Sequence, residues 1–264
     1  MLGPSLLASR SHCPRAQHPR HHHACRAAQS LQTVTVKSEL LAGIEALGVQ
    51  ALLPGSPEAK QRLDMLIEQL QRSSDTRRYM GGSQAGASGY ASQPGSLAAS
   101  RPAVDPRLLG CWRLLYASNG TAVTRTGLAQ ALISASTALP GVGIQSIRQT
   151  LSLNATGGVV TSNEAEFGLG PFGVWRVGID GSWQELEDGR SAKVAFERFR
   201  VKPVGFFNLQ LPDALPQVLI GLGEGSAARS GADWATTYLD DDLRVGQGRS
   251  GNLFVFSKLP SGGT

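Results

Sequence analysis

Apolar residues near the start of the chain recur at intervals of three and four. Between Lys37 and Leu47 they fall at Leu40, Leu41, Ile44 and Leu47, which predicts one apolar helix face. After the Pro54-Gly55 break, Ser56-Pro57-Glu58 supplies a capping serine, a first-turn proline and an acid for the positive helix end. The helix that follows carries Leu63, Leu66, Ile67 and Leu70 on one face, with Arg72 beyond them. Such a pair reads as a helical hairpin packed on the rest of the chain, or as a partner-binding helix.

From Leu108 the period shortens to two. Gly110-Cys111-Trp112-Arg113-Leu114-Leu115-Tyr116 alternates Trp112, Leu114 and Tyr116 on one side. A second strand over 144–153 places Ile147, Gln149, Leu151 and Leu153 together, and Asn154-Ala155-Thr156-Gly157-Gly158 supplies turn chemistry before a third over 159–167. A fourth, 174–179, ends at the hairpin-type dipeptide Asp180-Gly181. The strand over 191–202 has Phe196 and Phe199 out of phase, which predicts a bulge. Strands over 232–238, 243–246 and 252–258 complete the series. Many short strands with glycine-rich turns and almost no helix between them predict an antiparallel barrel or sandwich.

Two segments break this rhythm. Residues 126–139 carry Leu128, Leu132, Ala135 and Leu139 at helical spacing. Residues 203–223 carry Phe206, Phe207, Leu209, Leu211, Leu219 and Ile220 among Pro203, Pro212 and Pro216, and repeated prolines argue against a central strand or a regular helix. That segment reads either as a loop tucked into a barrel mouth or as an exposed apolar lip that meets lipid. A further stretch, 73–100, has 17 Gly, Ser or Ala among 28 residues and reads as a flexible linker.

Composition narrows the function. The formal net charge of +5 suggests a nucleic-acid binder, but its distribution removes that reading. Five of the 25 basic residues (Arg10, Arg15, Arg20, Arg26 and Lys37) lie in the first 38 positions, where no acid occurs. The remaining 20 are balanced by 20 acids, so the body has no surplus for phosphate. The first thirty residues, rich in Arg, Ser and Ala and without a 7–15-residue apolar run, resemble an organellar transit peptide, mitochondrial or plastid. The uncharged window 126–147 is only half apolar and is interrupted by Pro140 and three glycines, so it does not read as a membrane span.

The available side chains also limit the chemistry. All five histidines lie at or before His23, which leaves the body no His base, Ser-His-Asp triad or His-ligated metal. Cys13 and Cys25 fall in the address-like stretch, so Cys111 stands alone without a disulfide or CxxC partner. Gly168-Leu169-Gly170-Pro171-Phe172-Gly173 spells a dinucleotide fingerprint but lies between strands with no helix after it. Asp240-Asp241-Asp242 offers hard oxygen ligands for calcium or magnesium. Adjacent strand side chains diverge, however, and a structural turn in which an aspartate pairs with Arg244 or accepts backbone N–H groups is the simpler reading. No cofactor and no metal site are expected.

Two motifs carry a family resemblance: Gly110-Cys111-Trp112-Arg113-Leu114-Leu115-Tyr116-Ala117-Ser118, and Thr236-Thr237-Tyr238-Leu239-Asp240-Asp241-Asp242-Leu243-Arg244 followed by Gly251-Asn252-Leu253-Phe254-Val255-Phe256. They resemble the opening and closing patterns of the plastid lipid-associated protein (PAP/fibrillin) family. The resemblance implies a mainly β, lipocalin-like antiparallel barrel preceded by a short helical hairpin, in a non-enzymatic plastid protein of plastoglobules or thylakoids. It implies as partners a hydrophobic lipid or prenylquinone, a peripheral membrane surface and, alternatively, a plastid prenylquinone- or carotenoid-pathway enzyme docked on a scaffold.

On this reading residues 1–30 are a transit peptide, 31–72 the helices, 73–106 the linker and 107–260 the barrel. Trp112, Leu114, Tyr116, Leu151, Val194 and Phe196 would line the interior, and Phe206, Phe207, Leu209, Leu211, Leu219 and Ile220 the lip. Gly110, Trp112, Tyr238, Asp240 and Arg244 form the structural motif, with Arg244 stacked on Trp112 to close one end.

Overall fold

The computed structural model describes residues 19–55, 57–81, 105–121, 124, 141–186, 191–206, 209–212, 216–221 and 232–260. The apolar spacing near the start forms two helices, α1 (Pro19–Leu47) and α2 (Pro57–Gly81), joined through a 3-10 turn at Gly48–Leu52. Both are longer than their periodic stretches. Periodicity marks only the part of a helix that packs, and polar residues of adequate propensity prolong it beyond that face. The 126–139 segment, read as a helix, lies outside the described residues.

Ten strands follow: β1 (Gly110–Ala117), β2 (Val142–Leu153), β3 (Val159–Leu169), β4 (Val174–Glu185), β5 (Ser191–Phe206), β6 (Leu209–Gln210), β7 (Val218–Gly221), β8 (Ala232–Leu239), β9 (Leu243–Gly248) and β10 (Leu253–Lys258). All their pairings are antiparallel. Eight of them close a ring in the order β1-β2-β3-β4-β5-β8-β9-β10, with β10 returning to β1. The two short strands, β6 and β7, extend the free side of β5 beyond β8. The fold is therefore a mainly β, closed eight-stranded antiparallel barrel preceded by two helices.

Two local expectations change. Asp180-Gly181 does not turn the chain: β4 runs through it, and the pairing with β5 shifts register there, Asp180 facing Arg198 and Gly181 facing Phe196. The residue in excess is Glu197, which explains why Phe196 and Phe199 both reach the inner face. Pro203 lies inside β5, opposite Trp175, where a second register shift between Val174 and Trp175 opens the ladder. A proline lacking its N–H is tolerated at such a break.

The outside of the barrel has two characters. Over β1, β8, β9 and β10, the residues Tyr116, Tyr238, Leu243, Val245 and Val255 are buried beneath Val36, Leu40 and Ile44 of α1 and Leu63, Leu66, Ile67 and Leu70 of α2. Each large aliphatic side chain buried there contributes roughly 1.5–3 kcal/mol.

Over β2 to β5 the outer face is charged. Glu166 accepts from Arg148 (2.7 Å), Arg176 (2.8 Å) and Ser146 (2.8 Å), while Arg200 donates to Ser162, Glu164 and Asp180. Burial alone would raise the Glu166 pKa, but its bonds to Arg176 and Ser146 and the nearby arginine charges bring it below the ordinary carboxylate value.

Candidate functional site

One end of the barrel is packed shut. Trp112 on β1 is fully buried and its indole Nε1 donates to the carbonyl of Leu108 at 2.8 Å. The Arg244 guanidinium, on β9, stands 5.1 Å from the Trp112 ring centroid, 4.4 Å from Phe256 and 6.0 Å from Trp234. Contacts of this kind contribute roughly 0.5–2 kcal/mol each when desolvated. Lys258 also approaches the Trp112 ring, at 5.1 Å, and its ammonium is held by the Arg107 carbonyl at 2.8 Å.

Arg244 reaches inward because β9 alternates. Leu243 and Val245 face the helices, and Arg244 and Gly246 face the interior. Gly246 is required: a Cβ there would lie 1.9 Å from the Trp234 ring. Arg244 has 0% exposure, and its Nη2 donates to Gln149 Oε1, whose Nε2 in turn donates to Asn163 Oδ1 at 2.8 Å. Burial brings its pKa down to about 9. Asp240 does not pair with it. That carboxylate instead accepts the backbone N–H groups of Asp242 (3.1 Å) and Leu243 (2.7 Å), the Tyr238 hydroxyl (2.7 Å) and the Lys37 ammonium (2.9 Å).

The strand register places Trp112, Leu114, Leu151, Val194 and Phe196 on the inner face. Tyr116 is a correction. A bulge between Leu114 and Tyr116 turns it to the outer side, where its hydroxyl donates to Asp64 Oδ1 of α2 at 2.7 Å and Lys60 lies 5.2 Å from its ring. The simple alternation Trp112, Leu114, Tyr116 carries no mark of the extra residue. Sequence reading also left out Trp183, Trp234, Thr161, Thr236, Gln149 and Asn163 as interior groups. The signal for Gln149 was present in its phase with Ile147 and Leu151.

The opposite end flares. Among the described residues β1 pairs with β2 only over Arg148–Leu151 and β8 with β5 only over Ser191–Val194. The far halves of β2 to β5 therefore project past the closed ring, with Ile144, Ile147, Val177, Ile179, Phe199 and Val201 inward and only partly buried. At their tips the apolar side chains of Phe172 and Leu209, each at 71% exposure, and of Phe206 meet solvent, while Val218 and Leu219 are exposed along the free edge of β5, opposite Val201 and Arg200. Gly173, at φ +79°, allows the turn carrying Phe172 to touch the end of β5. A Cβ there would stand 2.2 Å from the Gly205 carbonyl and 3.0 Å from Phe206.

Of the other expected lip residues, Leu211 is half-buried. Phe207 lies outside the described residues, as does the side chain of Ile220, whose backbone in β7 pairs with Phe199.

Among the described residues no group of three His, Cys, Asp or Glu side chains converges as a metal site, and no helix is long and apolar enough to cross a membrane. A groove of about 330 Å³ lies on the barrel wall between Ser191, Asp233, Trp234, Gln247 and Arg249.

The barrel is thus closed at one end by a Trp-Arg stack and flares at the other to an apolar rim. The PAP_fibrillin family matches residues 97–257, which span every strand of the ring except Lys258, the last residue of β10. The chain belongs to the PAP/fibrillin family. Membership implies association with plastid lipid structures, in a family that is generally structural rather than enzymatic. No curated protein and no solved structure matches the chain.

Proposed function

We propose that this PAP/fibrillin member is a non-enzymatic protein that binds or organises hydrophobic lipids or prenylquinones at the surface of plastoglobules or thylakoids. The observation that carries this reading is the flared end with its rim of Phe172, Phe206 and Leu209. Clustered exposed apolar side chains of this size mark a binding surface, and the charged wall over β2 to β5 restricts lipid contact to the rim. The arginine- and serine-rich, acid-free composition of residues 1–30 supports a plastid address. The absence of any histidine after His23 supports a role without acid–base turnover.

Flotation tests the proposal. The full chain floats with galactolipid vesicles containing a prenylquinone, and the triple substitution Phe172→Ser, Phe206→Ser, Leu209→Ser lowers the floated fraction by at least roughly fivefold. Wild-type protein that stays in the aqueous fraction and carries no lipid by native mass spectrometry overturns it. A second reading, a docking scaffold for a plastid lipid-pathway enzyme, draws on Leu31 and Val34, which α1 leaves exposed one turn apart. An enzyme that co-purifies with the protein and remains bound after delipidation favours that reading.

A further inference from the structure

The interior of the barrel holds several buried side-chain donors that find no acceptor among the described residues. Arg244 Nε and Nη1 find none among these residues, and neither do Trp234 Nε1 and Trp183 Nε1; the hydroxyls of Thr236 and Thr161 likewise have no partner there. Buried polar atoms are paired in the great majority of cases, so six orphans on the inner face of one barrel require an explanation. They are also neighbours. Trp234 and Thr236 sit two apart on the inner face of β8, and Thr236 faces Gly246, two residues from Arg244. The Trp183 and Trp234 rings are 6.5 Å apart, and Thr161 faces the side-chain-free Gly181 next along β4.

Charge decides what would satisfy them. Arg244 is fully buried, and among the described residues no carboxylate pairs with it; its hydrogen bond goes to the neutral Gln149. A buried cation without a counter-charge is unfavourable. Water satisfies donors but brings no charge, whereas a carboxylate supplies two acceptor oxygens and the missing negative charge. From this position the apolar inner faces of Ile147, Ile179, Phe196 and Phe199 lead to the flared end.

We propose that Arg244, Trp234, Thr236 and Trp183 form the seat of a carboxylate head group, so that the barrel takes up a long-chain carboxylic acid with its tail directed to the rim. This rests on the lipid-binding reading above and adds to it an anionic head and a named contact set.

The test titrates the full chain with cis-parinaric acid and its methyl ester, read by the probe's own fluorescence, with a neutral prenylquinone as competitor. The acid binds at least tenfold more tightly than the ester. Trp234→Phe combined with Thr236→Val keeps an aromatic ring and the branched Cβ while removing two donors, and lowers acid affinity at least threefold more than ester affinity. Arg244→Met removes the preference for the acid; if that variant does not fold, the Trp234/Thr236 pair carries the test. Equal affinity for acid and ester, competition by quinone as strong as by acid, or an acid affinity unmoved by the double substitution overturns the carboxylate seat while leaving lipid binding standing. Retention of neither probe nor quinone overturns both.

Discussion

Asp240 is the carboxylate on which the loop between β8 and β9 is built, and its four acceptor contacts tie that loop to Lys37 of α1. Burial alone would raise its pKa, yet the bonds from Lys37, Tyr238 and the loop backbone bring it down to about 2 from 3.8. A carboxylate held lower in the folded than in the unfolded chain stabilises the fold above its unfolded pKa. That contribution, at most about 2 kcal/mol, is withdrawn as pH falls from 3.8 towards 2. Asp240→Asn is expected to destabilise the protein by about 1–2 kcal/mol in urea at pH 7 and to flatten the loss of stability between pH 4 and 2. Lys60 plays a comparable part at the other end of the hairpin. Its buried ammonium donates to the carbonyls of Leu53 (2.5 Å), Ala117 (2.7 Å) and Ala51 (3.4 Å), joining α2 to the 3-10 turn and to the end of β1. Lys60→Met leaves those carbonyls without their donor and is expected to cost about 2–4 kcal/mol in the same unfolding measurement. The turn role of Asp240, accepting backbone N–H groups, was legible in its run of three aspartates; its tie to Lys37 and the role of Lys60 were not, because a lysine beside Gln61 and Arg62 on an amphipathic helix reads as a solvated side chain until its neighbours are known.

At the scale of the element, alternation and helical spacing identified most of what forms, and bulges decided what they could not identify. The leucines and isoleucines of α1 and α2 that recur at three and four are the ones buried against the barrel. Strand positions were legible for the same reason, since each strand has one face in the interior. What alternation misses is an inserted residue, because one extra position exchanges the faces of everything after it. In β5 the misphased Phe196 and Phe199 revealed the insertion; in β1 apolar residues occupy both phases after Leu114, and Tyr116 was assigned to the wrong side. Asp180-Gly181 failed in the opposite sense, its turn-forming composition serving a bulge within a long strand. At Glu197 the contributions of backbone and side chain are separable. Its side chain is exposed, so Glu197→Ala is expected to change stability by less than about 0.5 kcal/mol. Deleting the residue would restore plain alternation, with Phe196 and Phe199 still inward and Arg198 and Arg200 still outward, and is expected to leave a cooperative thermal transition at a shifted midpoint, as followed by near-ultraviolet circular dichroism.

At the scale of the molecule, the barrel has to be apolar outside as well as inside along half its circumference. The family match, residues 97–257, omits both helices, yet Tyr116, Tyr238, Leu243, Val245 and Val255 of the matched region are buried only because α1 and α2 lie over them. The other half of the wall shows the alternative: over β2 to β5 the outward positions are Arg, Glu, Asp and Ser, joined in ion pairs that remain favourable in water. The hairpin is therefore part of the folded unit rather than an appendage, and the barrel segment without it would present a contiguous apolar surface on four strands. Residues 97–260 expressed alone are expected to aggregate or to bind the dye ANS strongly, while residues 19–260 stay monomeric with little dye binding, as measured by light scattering and fluorescence. A soluble, monomeric 97–260 fragment with weak dye binding would show that the hairpin is dispensable. The same contrast bears on lipid contact: with the helix-covered wall sealed and the β2–β5 wall charged, Phe172, Phe206 and Leu209 are, among the described residues, the apolar rim presented at the flared end. Loss of vesicle flotation on substituting the rim should therefore leave the unfolding midpoint of the full chain unchanged.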